Sequence, residues 1–186
     1  MKIIGFGHRK RTGKDEAARI IVEHFKDLKV QRFSFANELY RVCHQLYYWD
    51  GMKDKEYYEQ FPEEKEKVLP KIGKTPRQIW IDFGTKAVRE QVYKDTWVMA
   101  ELYKTGKSDC DLAVFTDVRF PNELQAIHKF KGVVVKVERP SIPKTNDAAD
   151  TPLEGIQPWD AIINNNGTLE EYKNKVITTC QKLLNI

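Results

Sequence analysis

The sequence of 186 residues predicts a three-layer α/β/α fold built on a mostly parallel sheet of five strands. Three observations predict it. Short apolar runs rich in β-branched residues alternate with stretches of helical period, the pattern of strands joined by helical crossovers. A glycine-lysine turn links the first such run to the first helical stretch. No segment approaches the ~20 apolar residues of a membrane span, and no cysteine spacing suggests a disulfide framework.

Taken in order, Lys2–Phe6 reads as the first strand. Asp15–Leu28 reads as a helix with Ala17, Ala18, Ile21, Phe25 and Leu28 on one face. Val30–Phe35 reads as a strand and Ala36–Trp49 as a helix. Gly51–Lys74 breaks the alternation: 12 of its 24 residues are charged, so it reads as an exposed helical insertion. Thr75 is an N-cap, Pro76 takes the first helical position and Gln78 completes a capping box. Another helix covers Thr96–Lys104. Leu112–Asp117 is apolar and ends in an acid, as a buried strand would. Pro121 starts a helix carrying Leu124, Ile127 and Phe130, and Val133–Val137 is the next strand. Arg139–Pro158, rich in Pro, Asp and Thr, is either a loop over a site or a plain surface connection. Ala161–Asn164 is the last strand. Thr168 with Glu171 caps a final helix that buries Leu169, Tyr172, Val176, Cys180 and Leu183. The expected organisation is one domain over 1–186, with the charged insertion at about 51–74 and a lid-like loop at about 139–158.

Lys and Arg outnumber Asp and Glu by 31 to 27, a net charge of +4. That excess is too mild to argue for a nucleic-acid binder. Cys43, Cys110 and Cys180 lie far apart, with no Cys/His spacing for zinc, which fits a reduced, cytoplasmic setting and no membrane partner. The charge is concentrated. His8–Lys14 holds Arg9, Lys10, Arg11 and Lys14 and no acid, so this loop accounts for the whole +4.

That loop, Gly5-Phe6-Gly7-His8-Arg9-Lys10-Arg11-Thr12-Gly13-Lys14-Asp15, follows a strand and enters a helix, the setting of a phosphate-binding loop. Gly13 permits a tight turn, the helix start presents its positive dipole end, and Lys14 adds a mobile cation. Counted from Gly7, five residues precede Gly13 where G-x-x-x-x-G-K-[ST] has four, and Asp15 replaces the hydroxyl residue. A carboxylate there still suits Mg2+, which prefers oxygen ligands and keeps much of its water. The alternative is a basic strand-to-helix turn with no ligand.

Gly13-Lys14-Asp15 after a basic loop resembles the bacteriophage-type deoxynucleoside monophosphate kinases, a branch of the P-loop nucleoside monophosphate kinases. Asp82-Phe83-Gly84-Thr85-Lys86-Ala87-Val88-Arg89, followed by Asp95-Thr96-Trp97-Val98, resembles the family's Leu-Gly-Thr…Arg…Trp-Val region. Thr116-Asp117-Val118-Arg119-Phe120-Pro121-Asn122-Glu123 resembles its Asp-x-Arg strand end. Val137-Glu138-Arg139-Pro140 and Ile163–Glu171 resemble its final strands and helix. The resemblance covers most of the chain outside 51–74. Ala148–Pro152 stands where the family's His-x-x-Glu-like element is expected.

The resemblance implies a P-loop kinase with a helical acceptor-binding insertion, using ATP and Mg2+ to convert a deoxynucleoside monophosphate to its diphosphate. Arg11, Thr12, Gly13, Lys14, Asp15 and Glu16 form the expected donor site. Asp15 and Asp117 are the expected metal ligands; Asp117 is otherwise a cap for the helix at Pro121. Lys14, Asp15, Arg119 and Arg139 are the expected catalytic set, Arg119 for the transferring phosphoryl or the acceptor phosphate and Arg139 for the lid. Arg77, Arg89, Trp80, Asp117 and Arg119 are expected at the acceptor, because arginine's planar fork binds two phosphate oxygens at once. Arg77 and Arg89 otherwise read as solvated helix charges, and Trp80, Phe83 and Trp97 as core. A homodimer in the host-cell cytoplasm, with small-molecule substrates and no nucleic acid, completes the expectation. Two other readings are a kinase for another small acceptor, such as dephospho-coenzyme A, and a non-catalytic nucleic-acid binder. The basic cluster lacks the interleaved aromatics that nucleic-acid stacking needs.

Overall fold

A computed structural model describes residues 1–142, 153 and 155–186. Residues 143–152 and 154, and with them most of the expected lid and the Ala148–Pro152 segment, lie outside the described residues. In chain order the elements are β1 (Lys2–Gly7), α1 (Lys14–His24), β2 (Val30–Phe33), α2 (Asn37–Tyr47), α3 (Lys55–Gln60), α4 (Pro76–Ile79) and α5 (Thr96–Gly106). They continue with β3 (Leu112–Val118), α6 (Pro121–Lys129), β4 (Val133–Glu138), β5 (Ala161–Asn164) and α7 (Leu169–Leu184). Two compact units result: Met1–Ser34 with Thr105–Ile186, and Phe35–Lys104.

The first unit holds the sheet, ordered β2-β3-β1-β4-β5, with every pairing parallel. Strand alternation sorts its side chains into two layers. Ile4 and Phe6 join Leu112, Val114, Val135 and Val137 beneath α1 and α7, whose Ala17, Ala18, Ile21, Tyr172 and Val176 complete that core. Gly5 points the other way, toward α6, and a Cβ there would come within 2.5 Å of Ile127 Cδ1. The missing side chain is what lets α6 pack this close to β1. The expected three-layer α/β/α fold is observed, and its five strands are wholly parallel.

The final helix departs from its expected face. Leu169 is 60% exposed, whereas Leu184 is buried and Leu183 only borders the core. Steps of four from Tyr172 run through Val176 and Cys180 to Leu184, which is the stripe the helix buries. Both expected capping boxes form, at Thr75/Gln78 and at Thr168/Glu171.

The second unit has its own core of Cys43, Met52, Tyr58, Leu69 and Ile79. Three of these come from the charged segment 51–74, so that segment is more than a solvated face. Its charge hides the spacing of its anchors. The buried Asp50 carboxylate accepts backbone N–H groups of Lys71 at 3.0 Å and Ile72 at 2.8 Å, closing the segment on itself. Only α3 and a 3-10 turn at Pro62–Glu66 are helical there. Trp80–Arg89 continues α4 as a π-helix. Gly84 lies under Leu39, where a Cβ would meet Leu39 Cδ2 at 2.5 Å, and its carbonyl accepts Trp97 Nε1 at 2.9 Å. Trp97 is buried beside Phe83, so both belong to the packing of this unit.

Candidate functional site

The carboxyl ends of β1 and β3 flank the crevice at which the strand order reverses, where open α/β sheets bind ligands. β1 runs through Gly7, which pairs with Val118 and Lys136. The chain then curls, with left-handed backbone at His8 (φ 94), Arg11 (φ 62) and Gly13 (φ 110). Gly13 is the N-cap of α1. A side chain there would meet Asn165 Nδ2 at 2.6 Å, so glycine is required both by conformation and by space.

The protein satisfies three of this loop's carbonyls. Arg9 O accepts Thr12 Oγ1 at 3.0 Å and also the Lys14 ammonium. Thr12 O accepts Asn165 Nδ2 at 2.9 Å, and Gly13 O accepts Tyr172 Oη at 2.8 Å. Burial pushes the Tyr172 hydroxyl well above its ordinary pKa, so it remains a neutral donor. With carbonyls tied back, the loop presents N–H groups and the start of α1, an arrangement that favours an anion. Thr12 and Lys14 are buried within the curl, and Arg11 is exposed at its edge.

Beside the loop is a cleft of about 360 Å3, lined by His8, Arg9, Thr12, Lys136, Glu138 and Arg139 among others. The structure therefore brings Arg139 to the loop. Lys136 Nζ pairs with Glu138 at 2.6 Å, and this hydrogen bond holds the Glu138 carboxyl below its usual range.

The two expected metal ligands are each oriented from β2. Asp15 is exposed and pairs with Arg32 at 2.9 Å, and Asp117 accepts Ser34 Oγ at 2.7 Å. Arg32 lies in β2 and Ser34 directly follows its last residue. Asp117 lies in a bulge: Gly5 pairs with Phe115 but Gly7 with Val118, so β3 carries one extra residue. Bulges of this kind re-aim a side chain at a strand end. At the start of α6, Glu123 accepts the N–H groups of Arg119 at 2.7 Å and Phe120 at 3.0 Å.

Mg2+ fits this donor set in kind. One or two carboxylates, water and substrate phosphates are its habitual ligands, and no group of three or more His, Cys, Asp or Glu forms a metal cage among the described residues.

The other expected residues have the following surroundings. Glu16 is committed to Arg19, whose hydrogen bond holds its carboxyl below the usual range. Arg119 has an exposed side chain. Arg77, Arg89 and Trp80 belong to the second unit. There Arg77 pairs with Glu66 on the surface, and the Trp80 ring lies 4.6 Å from Tyr40 and 5.3 Å from Tyr58.

Arg32, Ser34, Asn165 and Tyr172 escaped sequence reasoning. Tyr172 sits on a clean apolar stripe, which conceals its polar tip. The run Asn164-Asn165-Asn166 after the last strand was the available signal for Asn165.

A curled, amide-presenting loop with a buried lysine, placed between β1 and α1 of a parallel sheet, defines a P-loop phosphate-binding protein. A sequence model of the deoxynucleotide monophosphate kinases matches residues 74–176. A provisionally named deoxynucleotide monophosphate kinase of Acanthamoeba polyphaga mimivirus is 28% identical over 196 aligned positions, covering 96% of this chain and 95% of that protein. The deoxynucleoside-5'-monophosphate kinase of Escherichia phage T5 is 39% identical over 61 residues, 33% of this chain and 24% of that protein. Shikimate kinase from Aquifex aeolicus superposes with a TM-score of 0.48 at 10% identity over 98% of both chains, a likeness too low to bear on chemistry. The family match spans more than half of the chain, which belongs to the deoxynucleotide monophosphate kinase family and is a transferase.

Proposed function

We propose that the protein transfers the γ-phosphoryl group of ATP to a deoxynucleoside monophosphate, with Mg2+ as its ion. The observation that supports this best is the closed loop around Lys14, in a chain of this family. Such transfer asks a protein for positioning and charge neutralisation rather than covalent chemistry.

In this reading the amides of Arg11–Lys14 hold the donor's outer phosphates. Lys14 leaves the Arg9 carbonyl for a phosphate oxygen, exchanging a neutral acceptor for a charged one. Asp15 and Asp117 would hold the ion, which would neutralise phosphate charge when bound. Arg32 and Ser34 orient those two carboxylates. Arg119 and Arg139 neutralise the group in transit, and the segment 139–158 acts as a lid that keeps water from it. Arg77, Arg89 and Trp80 take the acceptor's phosphate and base. Residues 1–186 act as one catalytic domain, 51–74 being its insertion. The enzyme works as a homodimer in the host-cell cytoplasm, on small molecules alone.

The test is purified protein with ATP, Mg2+ and each of dGMP, dTMP, dCMP and dAMP, the products being separated by ion exchange. At least one diphosphate is expected. None from any acceptor would retire the proposal. Lys14→Ala should lose at least about a hundredfold in kcat/KM while keeping its fold, as loss of one transition-state contact to charge does. Full turnover in that variant would reject the loop assignment.

A further inference from the structure

The phosphate-loop motif G-x-x-x-x-G-K, counted back from Gly13, places its first glycine at position 8. The backbone agrees. β1 continues through Gly7, so the loop has no extra residue, and the first left-handed turn falls on His8 at φ 94. A histidine thus occupies a conformation that suits glycine and strains a side chain. Strain of that kind persists where the surroundings or a ligand make use of it.

The surroundings make little use of it. His8 N–H reaches Val118 O at 3.3 Å, a bond any residue could make. The imidazole lines the cleft beside the loop. Its Nδ1 is out of solvent and has no hydrogen-bond partner among the described residues. Burial first, then Lys136 and Arg9, hold the ring below the ordinary histidine pKa, with Glu138 opposing, so it is neutral near pH 7. A neutral imidazole carries one N–H donor. Rotation about Cβ–Cγ, a broad torsion, brings a nitrogen to the cleft at small cost. The cations around it, Arg9, Lys14 and Lys136, specify an anionic group as what that donor would meet.

We propose that His8 is a donor-binding residue, contacting the phosphate chain of the bound nucleotide from a position the motif gives to glycine. This rests on the kinase reading above, which assigns the phosphates to this loop and leaves His8 without a role.

The test compares wild type with His8→Gly and His8→Asn. ATP affinity is measured calorimetrically with Mg2+ and no acceptor, and Tm and steady-state kinetics are measured alongside. His8→Gly should raise Tm by about 2–5 °C, because glycine relieves the backbone. It should also weaken ATP binding about tenfold, as loss of a hydrogen bond to a charged group does. KM for ATP should follow, with kcat and the acceptor's KM changing less than about twofold. His8→Asn tolerates left-handed backbone and keeps an N–H donor, so it should recover most of the affinity. Unchanged ATP affinity in His8→Gly overturns the proposal. So does a lower Tm in that variant, or a loss of affinity that His8→Asn does not rescue. Wild type that fails to bind ATP overturns it together with the kinase reading. Wild type that binds ATP but phosphorylates no acceptor retires only the kinase reading, and the binding comparison still decides His8.

Discussion

Tyr172 reaches from α7 into the donor loop, and its single hydroxyl separates packing from function. Tyr172→Phe keeps the buried ring and removes only the bond to Gly13 O. That carbonyl still accepts Ala17 N–H at 2.9 Å, so the stability loss should be small, about 0.5–1.5 kcal/mol by denaturant titration. ATP affinity should fall more than that loss suggests, because loop shape is what the bond sustains; equal affinity would remove Tyr172 from the site. Gly13→Ala should do far more damage, since it is wrong in both φ and space. At this scale Gly13, Lys14 and Asp15 were legible because glycine and lysine between strand and helix have few other uses. Tyr172 and Asn165 were not, because a polar atom acting across more than 150 residues leaves no local pattern.

Caps and strand ends, the features of elements, were the most readable part of the fold. Thr168 and Glu171 were recognised as a box, and the structure forms it. Thr168→Ala should destabilise by about 1 kcal/mol, read from the denaturation midpoint. It should also loosen the Asn165 turn, so its effect on ATP binding should exceed that of a cap remote from the loop. Glu138, at the end of β4, gives a pH prediction. Its folded pKa is depressed, first by the hydrogen bond from Lys136, so its stabilisation is present above the ordinary glutamate pKa. That contribution is lost as pH falls through the lower, folded value. A Glu138→Gln variant should therefore melt below wild type at pH 7 and converge with it in acid; a gap that persists at low pH would contradict this. The bulge in β3 and the π-helix at Trp80–Arg89 were invisible in sequence, because each depends on what packs opposite: β1 in one case, Leu39 and Trp97 in the other.

Across the whole molecule, the chain divides into two compact units, and exchange of backbone amides should respect them. ATP alone should slow exchange in the loop 8–16 and around 164–172, leaving 35–104 little changed. A deoxynucleoside monophosphate alone should act chiefly within 35–104. The reverse pattern would reassign donor and acceptor. The sequence made the sheet legible strand by strand because buried parallel strands read as apolar runs. It concealed the second core because Met52, Tyr58 and Leu69 are isolated among charges. The tied-back carbonyls around Lys14 carry one more consequence. A cradle assembled before its guest arrives leaves little ordering to do on binding, so little conformational entropy is lost there. Capture of ATP should then be governed by encounter, drawn by the +4 concentrated in one loop, and should slow markedly as salt rises. Release, which breaks short-range bonds, should be far less sensitive to it.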